Sequence, residues 1–232
     1  TTPVEDKPKF KAGTTMAKLA DKGSITIGTK FDQPLFGLRG PSGEPEGFDV
    51  EIGKIIAAKL GISPDKIKWT ETVSANREPF IQDGKVDIVV ATYTINDERK
   101  QVVDFAGPYF TAGQTILVKK DNTDINGPDD LAGKKVCTAL GSTYEANLKE
   151  QAPDAKLKLV DSYSECLESL QNGSVDAIST DDVILTGMII QDDTLKLVEG
   201  EELTTEPYGA GIKDGDAEFK AFVDEVVAEY KE

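Results

Sequence analysis

The sequence predicts an α/β protein of two lobes, each a mainly parallel sheet flanked by helices, with two crossovers between them. Three observations predict it. Residues 24–92 alternate strand and helix as βαβαβ, the order that favours a parallel sheet with helices on its faces. The alternation starts again after "FAGPYF", giving a second set of strands and helices joined to the first near residues 111–115. A last amphipathic helix follows a last strand, and it is expected to return to the first lobe through a crossover near 201–208. The expected boundaries are therefore 24–112 with 207–232 for the first lobe and 113–206 for the second.

The elements follow in order. The opening "TTPVEDKPKFKAGTT" is polar and rich in turn formers, so residues 1–23 are expected to be a tether outside the core. It carries no initiator Met, and the chain reads as a mature or trimmed form. "SITIGTK" (24–30) alternates like a strand. In "GFDVEIGKIIAAKLG", Val50, Ile52, Ile55, Ile56 and Leu60 recur at near-helical spacing and Gly61 is a stop signal. Strand "IKWTETV", helix "ANREPFIQDG" and strand "VDIVVAT" complete the first set. The second set runs strand "QTILVKK", loop "DNTDINGPDDLAG", strand "KKVCTAL" and helix "TYEANLKEQ". It continues with strand "LKLVDS", helix "YSECLESLQNG", strand "VDAIST", helix "DDVILTGMIIQ" and strand "LKLVEG". After a final strand "YGAGIKDG", Phe219, Phe222, Val223, Val226, Val227 and Tyr230 make one apolar helical stripe.

Composition limits the partners. The 232 residues carry 42 acidic against 26 basic side chains, a net charge of −16. That excludes nucleic acid and anionic membrane surfaces as main partners, since both demand a cationic face. A small ligand is not excluded, because a pocket can oppose the sign of the surface. No run of 18 or more apolar residues occurs. The two cysteines, Cys137 and Cys166, fall in a strand and a helix that could pack together, so a disulfide and two separate buried thiols both remain open.

Enzyme chemistry finds little support. With no histidine, Ser-His triads, Cys-His dyads and histidine metal sites are excluded. Neither phosphate-binding glycine fingerprint is present. "NTDINGPDDLAG" places Asn122, Asp124, Asn126 and Gly127 at calcium-loop offsets, but Gly133 stands where the bidentate Glu belongs and Pro128 intrudes. A solvated turn is expected there, and neither metal nor cofactor. Asp181 and Asp182 suit acid–base work or, more simply, a helix N-cap.

Three stretches look like anion cradles. In "ATYTINDERK", Thr92 and Thr94 follow a strand, Asn96 or Asp97 opens a short helix, and Arg99 sits on it, which suits a carboxylate or a capped turn equally. In "SANRE", Arg77 begins a helix at the same expected sheet edge. In "ALGSTYE", Ser142 and Thr143 open a helix of the other lobe after Gly141. Asp181 ends a strand of that lobe. Donors for one carboxylate and an acid for one ammonium, facing across a cleft, would fit a zwitterion.

These stretches, with "IGTKFDQPLFGLRG", "EGFDVEIGKIIA", "YSECLESLQNGSVDAISTD" and "YGAGIKDGD", resemble the polar amino-acid-binding proteins of ABC importers, with the glutamate-binding lipoproteins of Gram-positive bacteria nearest. The resemblance covers residues 24–232. It implies a two-lobed periplasmic-binding-protein-like fold of type II, hinge closure on L-glutamate or L-aspartate, and delivery to a membrane permease. A glutamine or broad polar amino-acid binder and a ligand-sensing domain are the alternatives. It implies an extracytoplasmic monomer, lipid-anchored on the outer membrane face or periplasmic, and a Cys137–Cys166 disulfide. It places the ligand α-carboxylate on Arg99, Thr94 and Thr143, and the α-ammonium on Asp181 and the Thr92 carbonyl. It places the ligand side chain near Lys30, Arg77, Ser74 and Thr180, with Ser142, Gln33 and Phe31 lining the cleft. The chain departs from many relatives at Lys30, usually an acid, and at Gln33, usually an aromatic lid. A Lys30–Arg77 pair would suit a second carboxylate, and Phe31 or Phe36 would have to replace the lid.

Overall fold

A computed structural model describes residues 2–230; residues 1, 231 and 232, the outermost ends of the expected tether and first lobe, lie outside the described residues. Helix α1 (Thr15–Lys22) is followed by β1 (Ile25–Thr29), then by three short strands β2 (Asp32–Gln33), β3 (Gly37–Arg39) and β4 (Pro45–Glu46). Next come α2 (Phe48–Lys59), β5 (Ile67–Glu71), α3 (Arg77–Gln82), β6 (Ile88–Val89) and the long β7 (Val103–Lys119). The second lobe continues through β8 (Lys135–Ala139), α4 (Tyr144–Gln151), β9 (Lys156–Val160), α5 (Tyr163–Gln171), β10 (Ala177–Asp181), α6 (Asp182–Gln191) and β11 (Leu195–Leu197). Strand β12 (Thr205–Lys213) and helix α7 (Ala217–Glu229) close the chain.

The main sheet runs β5-β1-β6-β12-β7-β10-β8-β9, with β11 pairing β7. Pairings β1–β5, β1–β6, β10–β8 and β8–β9 are parallel, as a βαβ alternation dictates. The strands that carry the chain between lobes are antiparallel. Strand β7 pairs β12 as far as Gly113 and pairs β10 from Gln114, so one strand serves both sheets. The second set of elements, expected to start after "FAGPYF", begins inside this strand, and Gly107 and Pro108 are accommodated where the β7–β12 register shifts between Tyr208 and Ala210. The expected strand 86–92 likewise contracts to Ile88–Val89, beyond which the chain turns into the site.

Each lobe has its own core. Ile25, Ile27, Ile56, Ile88, Phe219 and Val223 bury α2 and α7 against the first sheet. In the second, Leu117, Ile178, Leu167 and Leu185 pack α5 and α6 on one face while Ile116, Val136, Tyr144 and Leu148 pack α4 on the other. Cys137 of β8 and Cys166 of α5 form a disulfide, Cα to Cα 5.5 Å.

The expected tether is corrected. Thr14 accepts a hydrogen bond from Ala17 N at 3.2 Å and caps α1, Gly23 ends it at φ 71°, and Met16 and Leu19 are buried in the first core. Upstream, Phe10 meets Phe222 edge-on and Glu5 N donates to Ala58 O at 2.9 Å. Only two residues of α1, Met16 and Leu19, are buried, too sparse a pattern to stand out among polar neighbours. The β2–β4 arm was also unforeseen, and it reaches the other lobe: Ser164 N at the start of α5 donates to Asp32 Oδ2 at 3.0 Å.

Candidate functional site

The chain leaves the C-terminal end of the first parallel sheet at residues 90–92 and again at 72–74, and the second at 139–143, so three turns converge between the lobes. Between them lies a small cavity of about 10 Å³, room for about one water molecule. The first lobe lines it with Ser74, Arg77, Thr92, Thr94 and Arg99. The second contributes Ser142, Thr143, Tyr144, Tyr163, Asp181 and Ile184. The sequence-predicted residues Lys30, Thr180 and Gln33 are buried but stand behind this wall. Phe31 is turned away, its ring facing the Arg39 guanidinium at 5.2 Å, and Phe36 packs on Tyr208 and Phe110; neither forms a lid over the cavity.

Local structure fixes each group. Asn96 Oδ1 accepts Arg99 N–H at 2.8 Å and starts the 3₁₀ turn Arg99–Gln101, aiming the guanidinium inward. Arg99 donates to Thr94 O at 2.6 Å and across the cleft to Gly141 O at 3.0 Å, while its Nε faces Glu78 at 3.5 Å. Arg77 donates to Ser74 O (3.2 Å), Ala91 O and Thr92 O (both 3.1 Å) and Gly141 O (3.3 Å). Both guanidiniums lie over the Tyr93 ring, at 4.4 Å for Arg77 and 5.1 Å for Arg99, a cation–π arrangement that stacks like charges side by side. Burial, then the neighbouring Arg77, lowers the Arg99 pKa to about 10.

Thr92 holds a left-handed backbone (φ 43°), which is strained for a β-branched residue. Three bonds hold it there: its N–H to Asp49 Oδ2 at 2.7 Å, its hydroxyl to Gln33 Oε1 at 3.0 Å, and its carbonyl to Arg77. Asp49, at the start of α2, also accepts from the Tyr109 hydroxyl; burial raises its pKa to about 6 against the opposing pull of those two donors. Asp181 is not the side-chain N-cap that its place before α6 invited. Its carboxylate accepts from the hydroxyls of Tyr144 and, across the lobes, Tyr208. Burial pushes its pKa up to about 7 although both hydroxyls oppose the shift. Thr143 donates to Glu206 Oε2 at 3.2 Å, tying the second-lobe turn to β12.

Lys30 Nζ donates to Ser74 Oγ at 2.7 Å and sits 5.7 Å from the centre of the Tyr163 ring. Burial, reinforced by Arg77, lowers its pKa to about 7. The Thr180 hydroxyl and Gln33 Nε2 are buried without a hydrogen-bond partner among the described residues. Such atoms are costly unless something is bound to them.

The structure therefore gathers eight of the residues singled out from sequence on the wall itself and three more directly behind it. Sequence reasoning missed Tyr144, Tyr163, Tyr208 and Asp49. Tyr144 adjoins Thr143 in a quoted stretch, but an aromatic at helical spacing reads as core. Asp49 reads as a favourable charge on a helix N-terminus, and nothing in its spacing announces burial. The calcium-like loop is a solvated turn, with Asn122 Oδ1 accepting Asp124 N at 3.0 Å and Ile125 N at 3.1 Å, and no metal-holding cluster occurs among the described residues.

The family model described as bacterial extracellular solute-binding proteins, family 3, matches residues 25–232. The chain is 42% identical over 203 residues to the ABC transporter glutamine-binding protein GlnH of Bacillus subtilis, covering 87% of this chain and 74% of that one. It is 38% identical over 218 residues to the glutamate-binding protein GluB of Corynebacterium efficiens, covering 90% and 74%. An ancestral arginine-binding protein solved with glutamine superposes with a TM-score of 0.84 at 37% identity, over 90% of this chain and 92% of that one.

Proposed function

The chain belongs to the bacterial extracellular solute-binding proteins of family 3, and from that premise we propose that it is the extracytoplasmic receptor of an ABC amino-acid importer that closes on L-glutamate, with L-aspartate second, and hands it to a membrane permease. The observation that carries this reading is the pair of guanidiniums, Arg77 and Arg99, set against the buried Asp181 around one cavity, with the ammonium of Lys30 buried behind Ser74. A zwitterion with a second carboxylate matches that distribution.

In this reading the α-carboxylate takes the place now held by the Gly141 carbonyl, receiving Arg99, Thr94 and Thr143. Asp181 exchanges a tyrosine hydroxyl for the α-ammonium, which the Thr92 carbonyl also receives. Ser142 closes over the ligand, and the side chain points toward Ser74, with Lys30, Arg77 and Thr180 behind it. The protein works as a monomer, without turnover, on the outer face of the cell membrane or in a periplasm, and a lipid anchor is part of the proposal. No helix among the described residues is long and apolar enough to cross a membrane.

Glutamine is a second reading with its own support. Arg77 already satisfies four carbonyls, and a Lys30 with a pKa of about 7 is half neutral at physiological pH. Neither group then demands an anion. Relatives named for glutamine, at 42% identity, and for glutamate, at 38%, both match over most of the chain. One calorimetric panel of Glu, Asp, Gln, Asn and Lys at pH 6.5 tests the reading. Tightest binding of glutamate is expected, and failure of all five to bind would overturn the receptor assignment.

A further inference from the structure

Lys30 differs from the two arginines. Its ammonium has one hydrogen-bond partner among the described residues, the Ser74 hydroxyl, and no carboxylate within ion-pair distance. Ser74 lines the cavity; Lys30 does not. The lysine's hydrogen bonding toward a ligand therefore passes through that hydroxyl, while its charge acts through space as well. A hydroxyl has one proton and two lone pairs, an ammonium can only donate, and a neutral amine can accept. With Lys30 protonated, Ser74 Oγ accepts from Nζ and turns its own proton into the cavity. With Lys30 neutral, Nζ accepts the Ser74 proton and the serine oxygen offers lone pairs to the cavity. The first state suits a carboxylate oxygen, the second an amide N–H. Arg77 does not override the choice, since its N–H groups are held by the carbonyls of Ser74, Ala91, Thr92 and Gly141.

We propose that Lys30 and Ser74 form a proton-operated selector, in which a carboxylate side chain binds with uptake of one proton at Lys30 Nζ and an amide side chain binds with Lys30 neutral. This rests on the reading that the cavity takes an acidic or amide amino acid with its side chain toward Ser74. The proton comes from solvent and its buffer; no other bond changes. The groups facing Lys30 set the balance: Arg77 and Arg99 disfavour its charge, Asp32 and Asp181 favour it, and Asp49 and the Tyr163 ring complete the surroundings. Burial is the largest influence and brings the pKa to about 7, inside the range where both states are populated.

Calorimetric titration of the wild-type protein with glutamate and with glutamine, from pH 6 to pH 8.5 in two buffers of different ionisation heat, tests the selector. Asp181, Asp49 and the ligand α-ammonium titrate for both ligands, so the difference between them isolates Lys30. Above pH 7 the preference for glutamate should fall by up to about tenfold per pH unit. The buffer-dependent heat should show up to one more proton taken up with glutamate than with glutamine. Lys30→Met should make the preference independent of pH, and Ser74→Ala should flatten its slope. Parallel pH curves for the two wild-type ligands, or a full slope retained in either variant, would overturn the selector while leaving the receptor reading intact. Absence of binding by both ligands at every pH would instead sink the reading on which it rests.

Discussion

One methyl group on Gly141 should hold the lobes apart. Gly141 has φ +78°, and a Cβ built on it lies 2.6 Å from Ala75 Cα and 2.7 Å from Ala75 N, backbone atoms of the opposite lobe. Carbon atoms settle at about 3.5–4.0 Å, so Gly141→Ala requires the two turns to separate by about 1 Å. The same carbonyl receives Arg77 at 3.3 Å and Arg99 at 3.0 Å. Each bond to a charged donor is worth about 1.5–3 kcal/mol. In the liganded form the α-carboxylate replaces this carbonyl at Arg99, so the Arg77 bond and the separation of the turns carry the loss on closure, up to about 3 kcal/mol. At 1.4 kcal/mol per decade that is about a hundredfold in affinity. The left-handed backbone adds about 1–2 kcal/mol of destabilisation in open and closed forms alike, so urea melts without ligand should fall by that smaller amount only. Calorimetry should show the hundredfold loss for every amino acid that binds, with selectivity unchanged, and small-angle scattering should show a larger radius with ligand present. Wild-type affinity in Gly141→Ala would refute the claim that closure brings residue 141 against Ala75.

The remaining predictions concern stability. Asp181 rises from 3.8 to about 7 on folding, so its contribution favours the fold below the unfolded pKa and is lost as pH rises toward 7, at 1.36 kcal/mol per unit about 4 kcal/mol at most. Urea melts of Asp181→Asn should therefore gain on wild type between pH 4.5 and pH 7; a constant gap would contradict the burial of that carboxylate. Replacing Cys137 and Cys166 together by Ala opens a loop of 29 residues' separation and should cost about 3–4 kcal/mol in denaturant midpoints measured without reductant. A chain beginning at Ser24 loses the buried Met16 and Leu19 and should be about 3–6 kcal/mol less stable, where a true tether would leave the melt unmoved.

The alternation of strands and helices was legible because period-2 and period-3.6 patterns are local and each lobe buries its own core. The continuity of strand β7 through "FAGPYF" was not legible, because the partner that accommodates Gly107 and Pro108, β12, lies about a hundred residues on. Helix α1 escaped because two buried residues among polar ones carry no period. At the site, Arg99, Thr94, Thr143 and Asp181 stood at strand ends before helices, where topology brings free N–H groups together. Their partners could not be inferred in the same way. Tyr208 reaches Asp181 from a strand of the other lobe, and Asp49 reaches Thr92 across 43 positions. Such pairings depend on tertiary register, which no spacing within either stretch encodes.

The placement of buried charge ties these features together. Among the described residues, the buried charged side chains are Lys30, Asp49, Arg77, Arg99, Asp181 and Glu206, and each lines the cavity or bonds to a residue that does. A chain with net charge −16 thus keeps its surface acidic yet sets three cations against three acids inside one cleft. Isolated buried charge is costly, so a set of this kind is tolerable only near overall neutrality. Glutamine, a neutral zwitterion, enters without altering that sum. Glutamate adds one negative charge, so glutamate with Lys30 protonated and glutamine with Lys30 neutral leave the set with the same sum. In the proposed selector, charge balance and the hydroxyl geometry at Ser74 make the same demand by separate routes: one proton more on Lys30 for glutamate than for glutamine.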